Sequence, residues 1–164
     1  MTNNQIRKAI PDVPQAPFAK KAGNKLLADD IFKAANCTLS ECEKLAGQYV
    51  VKAAGFETKG NHAKAMRVVI GGAENLETLA DIKAGKTKIS RPPHYVAAGV
   101  LYEGAGNLYY VVACKFKTSA KKQQCADRAR DFFTRAEEMY AKAGETGRAT
   151  EVVNKFAILE AMLK

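Results

Sequence analysis

The sequence predicts an all-α protein, built as stacked antiparallel helical hairpins behind an N-terminal capping helix. Two observations lead there. One spacing recurs three times: an aromatic, a second aromatic seven residues on, a glycine four further, and a small residue five beyond that. It reads Tyr49, Phe56, Gly60, Ala65; then Tyr95, Tyr102, Gly106, Val111; then Phe133, Tyr140, Gly144, Ala149. Seven residues make about two helical turns, so each aromatic pair shares one helical face. The glycine then ends the helix, because a left-handed residue at a C-cap is cheap only without a Cβ. The second observation is capping chemistry. Thr38 with Glu41 and Ser40 with Glu43 both have capping-box spacing, and Asn61 and Asn107 follow their glycines as N-caps for a second helix.

In chain order, residues 1–18 read as an extended arm ahead of a single domain, 19–164. Pro11, Pro14 and Pro17 recur at the polyproline II period, which suits either a plain linker or an aromatic groove on a partner. Residues 19–35 form a short amphipathic helix through Leu26, Leu27, Ile31 and Phe32, placed to cap the first hairpin. The first hairpin runs from Thr38, through Gly60, into a second helix that Gly71-Gly72 interrupts, with 73–84 resuming as an extra helix. Pro92-Pro93 opens the second hairpin, which turns at Gly104–Asn107. The same stretch has a rival reading as a β-hairpin of 96–103 and 108–116, rich in Tyr and Val around a Gly/Asn turn. Tyr109, Val112, Ala113 and Phe116 keep the helical i, i+3, i+4, i+7 set, which favours helices. The third hairpin pairs 123–143 with 146–163, the latter burying Val152, Val153, Phe156, Leu159 and Leu163.

This pattern resembles the tetratricopeptide repeat, in a degenerate form. The match runs through Tyr49, Ala53, Phe56, Gly60 and Ala65; Tyr95, Ala98, Gly99, Tyr102 and Gly106; and Phe133, Ala136, Tyr140, Gly144 and Ala149. Repeat starts lie 46 and 38 residues apart, against about 34 in the family. The resemblance implies a right-handed array that binds a protein or peptide and carries no catalytic centre. It implies groove-facing positions at Val50, Ala54 and Glu57, at Val96, Val100 and Glu103, and at Thr134, Glu138 and Lys142. An alternative has the 19–35 helix filling that strip as core.

The net charge of +9 is uneven, with residues 81–125 contributing +6 of it. Lys83, Lys86, Lys88 and Arg91 sit in one connector, and Lys115, Lys117, Lys121 and Lys122 in the next. In a hairpin stack both emerge on one edge, which would attract an acidic protein or a nucleic acid; a solvated lysine-rich surface is the plainer reading.

Chemistry was sought and not found. No glycine-rich phosphate loop, H-E-x-x-H or G-x-S-x-G motif occurs. His62 and His94 each stand at a helix start, where capping or exposure suits them better than pairing with a cysteine nucleophile. The four cysteines fall into two local pairs, Cys37 with Cys42 and Cys114 with Cys125. Neither has the close spacing of a zinc site, so no metal or cofactor is expected. Each pair would make a local disulfide that pins a helix start; the alternative is four reduced thiols acting as small hydrophobes. Paired cysteines would place the protein in the periplasm or outside the cell, unpaired ones in the cytoplasm. No segment has the length and apolarity of a membrane span, nor a signal peptide's hydrophobic core.

Overall fold

A computed structural model describes residues 36–87, 93–116 and 119–164, and these form five packed α-helices with no strand among them. They are α1 (Leu39–Thr58), α2 (His62–Lys83), α3 (Tyr95–Ala113), α4 (Ser119–Lys142) and α5 (Thr146–Leu163). The 1–18 arm, the 19–35 helix, Pro92, Lys88, Arg91 and Lys117 lie outside the described residues.

The helix ends follow the local chemistry. Thr38 Oγ1 accepts a hydrogen bond from the Glu41 amide at 3.2 Å and donates to the Glu41 carboxylate at 3.2 Å, so the capping pair is formed. Gly60 adopts φ 74° after α1, and Asn61 Oδ1 then accepts from the Lys64 amide at 3.2 Å to start α2. His94 caps α3 through Nδ1, which accepts from the Ala97 amide at 3.1 Å. Gly144, at φ 76°, turns α4 into α5.

The middle of the chain departs from expectation. Helix α2 passes without a break through Gly71-Gly72, and α3 passes through Gly104–Asn107. There is no second hairpin, helical or β, between Tyr95 and Ala113, and 73–84 is no separate helix. Packing is the cause. A glycine inside a helix costs only about 1 kcal/mol relative to alanine. These glycines sit where another helix presses closest: a Cβ on Gly72 would meet the Tyr49 ring at 2.8 Å, and one on Gly106 the Phe133 ring at 2.5 Å. Their role is close approach, and no turn is made at either.

Helix α3 is the centre of the array. It packs against α1, α2 and α4, while α2 packs on α1 and α5 on α4. Its buried residues include Ala97, Ala98, Leu101, Tyr102, Ala105 and Leu108. Four of the six aromatics of the recurrent spacing, Tyr49, Tyr102, Phe133 and Tyr140, are fully buried, joined by Phe132, while Phe56 and Tyr95 are half-buried. Because the expected second pair is one helix, α5 follows α4 directly and packs on it, and its side chains reach α1 through Arg148 and Glu43 and α3 through Lys155 and Glu103.

Candidate functional site: an apolar cleft beside helix α3

A cleft of about 340 Å³ opens between α1 and α3. Helix α1 lines it with Ala46, Gly47, Val50 and Val51, and α3 with Val100 and Gly104. Helical spacing puts these on one face of each helix. Gly104 lets the helices approach, since a Cβ there would stand 2.7 Å from that of Ala46. Around this apolar floor stand Glu43, Glu103, Asn107, Tyr140 and Arg148. A second hollow of about 110 Å³ lies beside it, lined by Asn107, Tyr110, Phe133, Lys155 and Ile158.

The polar groups are engaged with one another across helices. Tyr140 donates its hydroxyl proton to Glu103 Oε2 at 2.7 Å. Lys155 Nζ donates to Glu103 Oε1 at 2.6 Å and to Asn107 Oδ1 at 3.0 Å. Arg148 donates to Glu43 at 3.4 Å, tying α5 to α1. Two carboxylates therefore face two cations, and the charges within the cleft balance. None of these partners could be paired from the sequence, because 37 to 105 residues separate them.

Burial, followed by the Glu103 hydrogen bond and charge, pushes the Tyr140 hydroxyl well above its usual range. Tyr102 is pushed up in the same way: by burial first, then by donating to Asp81. Burial also raises Tyr109, with Arg128 opposing. An unfolded tyrosine ionises near pH ~10. Since the folded values lie higher, the stabilisation is complete below that pH and is lost as pH rises above it, where the unfolded state releases protons first. Alkaline unfolding followed by circular dichroism should therefore begin near pH ~10. Tyr140→Phe should move that onset upward relative to the neutral-pH stability of the same variant. Equal onsets in parent and variant would reject Tyr140 as a contributor.

Of the groove positions expected from the sequence, Val50, Val100 and Glu103 line the cleft. Ala54 and Val96 are half-buried on α1 and α3. Glu57 pairs with His62 Nδ1 at 2.6 Å. Thr134, Glu138 and Lys142 are exposed on α4: Thr134 donates to the Arg130 carbonyl, and Glu138 pairs with Lys142 at 3.4 Å.

The basic edge is thinner than its sequence suggests. Lys83 is buried, 6% exposed, and its ammonium donates to the Cys37 carbonyl. Lys86 donates to the Tyr102 hydroxyl at 3.1 Å. Lys115 and Lys121 are exposed, Lys122 half-buried, and Lys121 lies over the Phe116 ring.

All four cysteines are free thiols. Cys37 and Cys42 are buried with their sulfurs 3.6 Å apart. Cys125 is buried in α4, while Cys114 is exposed and donates to the Val111 carbonyl. Among the described residues no cluster of three or more His, Cys, Asp or Glu could hold a metal ion, and no helix is long and apolar enough to cross a membrane.

Fold and cleft together define an all-α protein whose described residues form five packed helices, with an apolar cleft whose rim charges are paired across helices. No known protein family matches the chain, and neither curated proteins nor solved structures yield a similar one.

Proposed function

We propose that this chain is a non-enzymatic binding scaffold, a degenerate tetratricopeptide-like array that docks an apolar segment of a protein partner in the cleft between α1 and α3. The observation that carries this reading is where apolar surface is left uncovered. The exposed large hydrophobics among the described residues are Val51, Val153 and Ile158, on α1 and α5. Val51 of α1 and Ile158 of α5 line the two hollows, while Val153 lines neither. Exposed apolar residues gathered in a concavity are typical of docking surfaces. The cleft's own charges are already neutralised, so the fitting partner is an amphipathic helix presenting small or branched apolar side chains. The polar residues support binding over catalysis, because Glu103, Tyr140, Lys155 and Arg148 hold helices to one another.

The test is selection of amphipathic helical peptides against the purified chain, followed by substitution. Val100→Glu and the more exposed Val51→Glu, at 71% exposure, should each weaken the selected peptide at least about tenfold. For Val51→Glu the melting temperature should stay unchanged. A polyanion site on the connectors would give the opposite result: binding that survives both substitutions, falls steeply with salt, and vanishes when Lys86, Lys115, Lys121 and Lys122 become Glu.

A further inference from the structure

Beside the start of α1, one residue before the cleft residue Glu43, lies a small buried cluster of groups suited to sulfur chemistry. Cys37 is the residue before the N-cap Thr38, and Cys42 lies one turn into the helix, its amide bonded to the Thr38 carbonyl at 3.0 Å. The Cys42 thiol donates to the Cys37 sulfur, at 3.6 Å. Cys42 is 0% exposed and Cys37 6%. The buried Lys83, from the end of α2, holds the Cys37 carbonyl and brings a positive charge to the pair. Glu41 opposes it: the Cys37 thiol donates to its carboxylate at 3.7 Å, which holds the proton on Cys37 until that contact opens.

We propose that Cys37 and Cys42 form a thiol–disulfide exchange site for low-molecular-weight disulfides of the glutathione class, closing a reversible disulfide across the first turn of α1. The two sulfurs have different tasks. Cys37 is the attacking group. Its sulfur receives the Cys42 hydrogen bond, lies by Lys83, and sits at the positive end of the α1 dipole, all of which favour a thiolate. The hydrogen bond from Cys42 is the largest influence and lowers the Cys37 thiol below its ordinary value, against burial and Glu41. Cys42 is the resolving group. That same hydrogen bond and burial hold its proton on until the first step is over.

In that step the Cys37 thiolate attacks one sulfur of the disulfide. A Cys37–ligand mixed disulfide forms, the ligand's own S–S bond breaks, and one ligand thiolate leaves and takes a proton. Loss of the Cys37 thiolate removes the acceptor that held the Cys42 proton. Cys42 then attacks Cys37 Sγ as the mixed S–S bond breaks, and its proton passes to the departing ligand thiolate, which leaves as the second thiol. Two electrons pass from the cysteine pair to the ligand, so one disulfide is consumed and two thiols are released. Closure needs the sulfurs to move from 3.6 Å to bonding distance, a side-chain rotation at the entry to the helix.

The experiment uses the full chain in glutathione buffers of graded oxidised-to-reduced ratio, with free thiols alkylated before digestion. Trypsin cuts after Lys33 and Lys44, so residues 34–44 come away as one peptide holding both cysteines. The expected product is that peptide two hydrogens lighter and unalkylated, reverting on reduction, while Cys114 and Cys125 stay alkylated. Cys42→Ser should trap one glutathione on Cys37, and Cys37→Ser should leave Cys42 unmodified. Full alkylation of both cysteines in oxidised buffer would overturn the proposal. So would a glutathione adduct on Cys42 in the Cys37→Ser chain, or a stable adduct on Cys37 in the parent. None of these readouts depends on the cleft.

Discussion

Gly106→Val should destabilise the fold by about 3 kcal/mol, lowering the melting temperature by roughly 10 °C in a chain of this size. Gly106 lies inside α3, where an added Cβ would meet two Phe133 ring carbons at 2.5 and 2.6 Å and the Ala129 carbonyl at 3.2 Å. Phe133 is 1% exposed and cannot swing away, and a backbone oxygen cannot move without shifting α4. A left-handed cap at Gly106 would also make valine costly, so the size of the effect does not identify its cause. A double-mutant cycle does. Gly106→Ala should be strongly destabilising beside Phe133 and much less so in a Phe133→Leu background, giving a coupling of about 1 kcal/mol or more. Additive effects would reject the packing account and return Gly106 to a turn.

Tyr49→Ala should cost about 3–5 kcal/mol, the range for deleting a buried aromatic ring. Tyr49 is fully buried, its ring lies over Gly72 of α2, and its hydroxyl accepts from Asn75 Nδ2 at 2.9 Å. The two parts of the side chain separate cleanly. Tyr49→Phe removes only the hydroxyl and should cost about 1 kcal/mol. Denaturant unfolding of the two variants gives the comparison. A Tyr49→Phe loss close to that of Tyr49→Ala would mean that the polar contact, and not ring packing, fixes α1 against α2.

Both predictions rest on glycines set against aromatic rings, and these explain how much was legible in advance. Most of the recurrent aromatics were readable as core from helical spacing and size: Tyr49, Tyr102, Phe133 and Tyr140 are buried, whereas Phe56 and Tyr95 are half-buried at its edge. The glycines were not. A glycine at φ 74°, as at Gly60, and a glycine under a neighbouring ring, as at Gly106, are identical letters in sequence. Which role is taken depends on what approaches the missing Cβ from elsewhere in the chain.

The candidate site divides along the same line. Val50, Val100 and Glu103 were implied by the resemblance to the tetratricopeptide repeat, and they line the cleft. Arg148, Lys155, Asn107 and Tyr140 gave no signal, because their partners are distant in sequence. Charge counting placed Lys83 on an edge, whereas the fold buries it against the Cys37 carbonyl.

By itself, then, the amino-acid order determined the all-helical class, both ends of α1 and α5, the C-terminal end of α4, and most of the aromatic core, because capping and periodicity are interactions within about one or two turns. Tertiary structure alone decided that α2 and α3 continue through their glycines, that side chains of α5 reach across to α1 and α3, and that a cleft forms between those two helices. A glycine's helix penalty of about 1 kcal/mol is smaller than what close packing of a buried aromatic ring returns, so the neighbouring helix settles the outcome.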